Sequence, residues 1–255
     1  MIVQRSAPAA LAGFFLASVC AVQCWAMTSQ NALGSYIFGA EAQDERSTPA
    51  PPVARYVSDE GESFVLDRSS PTPLLKFEES QEVFALSPEP AARGDTIYRD
   101  DVGDPVLRVT KLGGLILFAH GRPGGAPVAL AGLAPGFRLA ALSPAALGQR
   151  LLQAAYRASR ATKRLIVFEI HDISPGSEAV FADAVSVTAD AITGMAHRKD
   201  ANAINRRFNR VVFTPGKRSE VSVRKGVVSI TVNPSLGLAG RPSSARIVEA
   251  VAHTR

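Results

Sequence analysis

A chain of 255 residues, 46% hydrophobic and 20% charged, has enough apolar material for a core, and about 200 ordered residues can bury about 70% of their unfolded surface without covalent staples. Both cysteines, Cys20 and Cys24, fall within the first 26 residues, so the remainder carries no disulfide framework, thiolate metal site or cysteine nucleophile. The net charge of +5 hides an asymmetry: residues 27–149 hold 10 Lys/Arg against 15 Asp/Glu and residues 150–255 hold 17 against 8, which puts the two parts at −5 and +9.

Residues 1–26 read as an export signal. Arg5 precedes the uncharged run Ala9 to Val22, which ends at the small-residue site Cys24-Trp25-Ala26. An uncleaved anchor is the alternative, but a membrane span needs about 20 predominantly apolar residues and this run is shorter and interrupted by Gln23. Residues 27–53 offer little to bury and end in Pro49-Ala50-Pro51-Pro52, the composition of a flexible spacer. The longest uncharged run after the leader, Pro123 to Phe137, is broken by prolines and glycines, so no transmembrane span is expected after cleavage.

A β-rich region is expected over 54–135. Short runs at 55–58, 63–67, 74–78, 82–86, 96–99, 106–110 and 115–118 are rich in Val, Ile, Leu, Phe and Tyr and bounded by turn residues. Alternation in Glu82 to Leu86 and in Val106 to Val109 points to an antiparallel sheet with one wet face, bent or closed into a small barrel that manages its edges.

Residues 136–255 read as an α+β region. Ser143-Pro144 is an N-cap followed by a first-turn proline, and Leu147, Leu151, Ala154 and Ala158 recur at helical steps, predicting a helix over 144–161. Lys163 to Ile170 reads as a strand, apolar enough for a central place. A second helix is predicted from Ser177 to His197, burying Val180, Phe181, Ala184, Thr188, Ala191, Ile192 and Met195, with Asp183 and Asp190 on the wet side. Arg210 to Phe213 reads as a strand, Val221–Val223 with Val227–Val232 as a hairpin turning at Lys225-Gly226, and Ser243 or Ser244 as the start of a terminal helix burying Ile247, Val248 and Val251. The fold class is therefore α+β: an antiparallel first half, then a mixed sheet with helices on one face.

Four features carry potential chemistry. His171, Asp172 and Ser174 follow a predicted strand and precede a predicted helix, where His171 would act as acid or base, Asp172 would orient it and Ser174 would be nucleophile or anion contact. Capping by Ser174 or Ser177 explains the same residues without catalysis. Asp100, Asp101 and Asp104 offer oxygens to a hard cation, but their spacing departs from a calcium loop and a polar turn at Gly103 accounts for them equally. The four histidines, His120, His171, His197 and His253, have no ligand spacing, and His197 and His253 sit where helix C-termini are expected. Arg206, Arg207, Arg210, Lys217 and Arg218 belong to a stretch, Arg198 to Lys225, with nine basic residues against two acidic ones, and Arg241 lies in a Gly-Arg-Pro loop beside the last helix. These six are the expected anion contacts, with a solvated basic face as the plain alternative.

The segments Gly94 to Gly103 with Val106 to Thr110, and Gly237 to Ser244, resemble an uncharacterised family, a domain of unknown function, of exported bacterial proteins. The resemblance implies export and an envelope setting and carries no functional residues. No cofactor is expected. The expected partner is an anionic envelope polymer or another protein, with nucleic acid disfavoured by export; a hydrolase centred on His171, Asp172 and Ser174 is the other function in view.

Overall fold

The computed structural model describes residues 51–118, 124–198 and 206–253. The expected leader and nearly all of the spacer, and His120 with the Gly121-Arg122-Pro123 loop, lie outside the described residues.

The first half is an antiparallel sheet of nine strands: β1 (Val53–Ser58), β2 (Ser63–Asp67), β3 (Leu74–Phe77), β4 (Phe84–Ala85), β5 (Ser87–Pro90), β6 (Thr96–Arg99), β7 (Pro105–Val109), β8 (Leu115–Leu117) and β9 (Ala126–Leu133). The chain meanders outward from β1 to β4, turns at one residue, Leu86, and meanders back from β5 to β9, which pairs with β1. The spatial order β4-β3-β2-β1-β9-β8-β7-β6-β5 leaves β4 and β5 as the edges, and because Leu86 alone separates them the sheet curls into a nearly closed barrel. Its interior is filled by Ala54, Tyr56, Phe64, Leu66, Leu75, Leu86, Leu107, Leu115 and Leu117. Tyr56 stacks on Phe64 with centroids 5.6 Å apart.

Two expectations change here. The run Glu82 to Leu86 shrinks to Phe84–Ala85, since Val83 is buried with Leu74 and Leu238 in a separate cluster and Leu86 is buried in the barrel. The strand that closes the sheet, β9, falls in the run read as broken by proline and glycine. Pro127 nevertheless pairs with Ile116, and its carbonyl accepts from the Asp59 amide at 3.3 Å.

The second half is a four-stranded sheet, β10 (Val167–Ile170), β11 (Arg210–Pro215), β12 (Glu220–Arg224) and β13 (Val227–Val232), with helices α1 (Pro144–Thr162), α2 (Glu178–Ala196) and α3 (Ser244–Ala252). The order is β10-β11-β13-β12, parallel except for the β12–β13 hairpin. Lys225 (φ 48°) and Gly226 (φ 82°) both take the left-handed region that a two-residue I′ turn needs. Val211, Phe213, Val228, Ile230 and Val232 are buried against the helices while Ser229 is exposed, so the helices cover one face. β10 lies at the edge rather than in the centre, and Leu165, part of the apolar run that suggested a central strand, is 77% exposed ahead of it.

Helix α1 begins as its sequence dictates, with the Ser143 hydroxyl accepting from the Ala146 amide at 3.2 Å and Pro144 in the first turn. Helix α2 buries every residue of the predicted stripe. It is long and apolar enough to cross a membrane by length and composition, and 61% of its most apolar stretch is buried in this layer. Its start uses no Ser177 cap. Glu178 instead accepts from the Gly176 amide at 2.7 Å.

Barrel and α+β half belong to one compact unit, Ser47–Arg255. Asp67, at the end of β2, accepts from the Phe137 amide at 3.0 Å and from the Ser69 amide and hydroxyl. Burial raises this carboxyl, but those hydrogen bonds outweigh it and leave Asp67 below its ordinary value. Within the barrel, Arg108 donates to Asp95 and the Lys111 amide donates to it at 2.9 Å, holding that carboxyl below its usual 3.8. A lowered native value means that Asp95 stabilises the fold above the ordinary carboxylate range and that this contribution is lost as pH falls through the lowered value. Asp95→Asn therefore weakens the fold at neutral pH, and the deficit shrinks as pH falls below the ordinary carboxylate range, measured as urea midpoints of the two proteins in parallel.

Candidate functional site

The joint between the two halves is built from charged groups. Arg241, 2% exposed, donates through Nε to Asp183 on α2 and through its terminal nitrogens to the Val83 carbonyl at 2.9 Å and to Glu82 at 3.4 Å. Glu82 in turn accepts from the Ser244 amide at 2.8 Å and from its hydroxyl, and Asp101 accepts from the Ser243 amide at 2.7 Å and from its hydroxyl. Two carboxylates from the barrel thus hold the N-terminus of α3, where its free amides and dipole favour negative charge.

This corrects one expectation. Arg241 is no surface anion contact, because its guanidinium is spent inside the protein. Asp183, on the wet side of α2 as expected, is its partner. Among the acidic trio, Asp101 is this α3 contact, and Asp100 accepts from the Val102 amide at 3.1 Å and the Asp104 amide at 2.8 Å, as in a polar turn, with Asp104 exposed. Burial pushes the Asp100 carboxyl up, helped by repulsion from Asp101 and Asp104. No cluster suited to a metal occurs among the described residues.

No hydrogen bond joins the side chains of His171, Asp172 and Ser174 to one another. The His171 imidazole lies 3.4 Å from Glu169, two residues earlier on the same face of β10, and Asp172 takes a left-handed turn conformation (φ 56°). The Ser174 carbonyl accepts from the Ser177 amide at 3.2 Å. All three residues are exposed.

The basic stretch divides by strand register. Arg210 opposes Val227 and Val227 opposes Arg224, so Arg206, Arg207, Arg210, Arg224 and Lys225 gather where β11 and β13 begin. Lys217 and Arg218 lie past the other end of β11, a six-residue strand about 20 Å long. The three helices also end on the first side: Lys163 caps α1, His197 caps α2, and Arg207 donates to the Val251 carbonyl at 2.9 Å and to that of Ala252 at the end of α3. Lys163 and Arg207 there complement the negative ends of two of these helices. Arg207 is thus partly a cap, Arg210 is half-exposed and 3.5 Å from Glu169, and Arg206, Lys217 and Arg218 are exposed.

The sequence reading missed an open groove of about 1270 Å³ along the outer side of α2. Asp183, Ser186, Asp190 and Gly194 form its floor at three- and four-residue steps, α1 supplies Arg150, Gln153, Tyr156 and Arg157 as one wall, Ser244 and Val248 of α3 line the other, and the barrel segment 79–82 closes one end. Arg157 reaches Asp190 at 2.6 Å. The signal was present in the small and polar stripe of α2, which reads equally well as an ordinary wet face.

These features define an α+β protein in which a barrel-like sheet is bolted to a helix-covered mixed sheet, with an open groove on the helical side. The chain belongs to the family described as a domain of unknown function, DUF4908, whose model matches residues 31–251. No curated protein and no solved structure matches it.

Proposed function

We propose that this protein is a non-enzymatic binding module, exported to the bacterial envelope, that contacts an anionic envelope component through the end of the mixed sheet where β11 and β13 begin. The observation that carries the reading is that cations from separate segments, Lys163 after α1, Arg206 and Arg210 at β11, and Arg224 and Lys225 at the β12–β13 turn, share that end. Such a surface attracts anions at long range and loses that attraction in salt. The leader read in residues 1–26 supports export.

Co-sedimentation with vesicles tests this. The chain should bind vesicles of phosphatidylglycerol mixed with phosphatidylcholine, release in high salt, and ignore phosphatidylcholine alone. At about 1 kcal/mol per basic residue near an anionic surface, neutralising Arg206, Arg210 and Lys225 together weakens binding about 100-fold. The same loss from neutralising Lys217 and Arg218, at the other end, would overturn the reading.

A further inference from the structure

We propose that the groove along α2 is a second binding site, distinct from the basic end, and that it takes an uncharged saccharide chain. Its floor from Asp183 to Gly194 spans eleven helical steps, about 16 Å, in an open groove rather than an enclosed cavity, a shape for a length of polymer.

The lining selects the class of ligand. Glu79, Glu82, Asp183 and Asp190 stand against Arg150, Arg157 and Arg198, with Arg241 bound beneath Asp183 and Glu82, so the charges nearly cancel and the groove steers neither polyanions nor polycations. A helical peptide would need deep apolar pockets for its anchors, and Val187, Ala191 and Met195, though they line the groove, each expose 5% or less of their surface. What remains available is hydroxyl-matching chemistry. Among the described residues, Arg150, Gln153, Gln81, Glu79 and the Tyr156 hydroxyl have no hydrogen-bond or ion-pair partner, which leaves both donors and acceptors pointing into one space.

Tyr156 completes the set. Its ring is 65% exposed on the wall of the groove, held on a regular helix, and its electron-rich face suits the C–H edges of a sugar ring while its hydroxyl meets a sugar hydroxyl. The small floor residues Ser186 and Gly194 allow a chain to approach the helix closely, and an added Cβ at Gly194 would meet open space.

The test uses the full chain, titrated by calorimetry and saturation-transfer NMR with neutral tetrasaccharides of glucose, mannose and N-acetylglucosamine. At least one should bind, with an affinity unchanged between low and high salt. Tyr156→Ala should weaken it about tenfold or more, Tyr156→Phe should retain most of it, and Arg150→Ala combined with Gln153→Ala should weaken it without changing the far-ultraviolet circular dichroism. Binding of none of the three sugars, or binding indifferent to Tyr156 and Arg150, would overturn the proposal. Vesicle binding by the Tyr156→Ala protein separates this outcome from that of the basic end, because neutral sugars do not report on it.

Discussion

Arg241→Met should cost about 3–5 kcal/mol of unfolding free energy, read as a fall in the urea midpoint, because removing one member of a buried ion pair strands the others. Asp183 on α2 and Glu82 at the edge of the barrel would each keep a charge shaped around a guanidinium that is gone, and the Val83 carbonyl would lose its donor. Against a typical total of about 5–15 kcal/mol the loss is a large share. Arg241→Lys should recover only part of it, since a single ammonium cannot reach Asp183, Glu82 and Val83 with the fixed fork those three partners meet. The combined change Arg241→Met with Asp183→Leu should be less damaging than the two single changes added together, since it removes one of the two stranded charges. Equal stability of Arg241→Met and the parent protein would show that the two halves are not held together by this residue.

The parts legible in the sequence are those decided within a few residues. Ser143-Pro144 started α1, Lys225-Gly226 turned the β12–β13 hairpin, and the stripe from Val180 to Met195 named the buried side of α2, because caps, turns and helical periodicity are local. β9 was illegible for the converse reason. Its residues are mostly exposed, it contains Pro127 and Gly132, and its place is set by pairing with β1, more than seventy residues away. Arg241 misled in the same way: the Gly-Arg-Pro loop is that of a surface turn, while the carboxylates that consume the guanidinium lie 58 and 159 residues earlier.

His171 and Asp172 show how little adjacency says about chemistry. Neighbouring residues at the end of a strand diverge, so the imidazole found the carboxylate two positions back, Glu169, rather than the one beside it. The charge asymmetry likewise has a structural share in its explanation. Asp101 and Glu82 of the acidic half hold the start of α3, and Arg207 of the basic half holds its end, so opposite charges serve the two poles of one helix.

Gly240→Ala should be nearly as damaging as the loss of Arg241, at about 3 kcal/mol, although it removes no interaction. Gly240 ends the 3-10 segment Pro234–Gly240, its carbonyl accepts from the Asn233 amide at 2.7 Å, and a Cβ placed on it would overlap the Asn233 carbonyl. The group it would strike is backbone. Asn233 has no room to yield, because its side chain donates to the Lys217 carbonyl at 2.9 Å and accepts from the Ser235 amide at 3.1 Å. The displacement would fall on the next residue, Arg241, and through it on the joint. Gly148→Ala provides the contrast, for Gly148 sits on the exposed side of α1 with nothing near its missing Cβ, and alanine there should stabilise the protein by about 0.5–1 kcal/mol. Urea midpoints moving in opposite directions for the two glycines would confirm that close backbone approach, not flexibility, is what position 240 requires; a Gly240→Ala protein as stable as its parent would refute it.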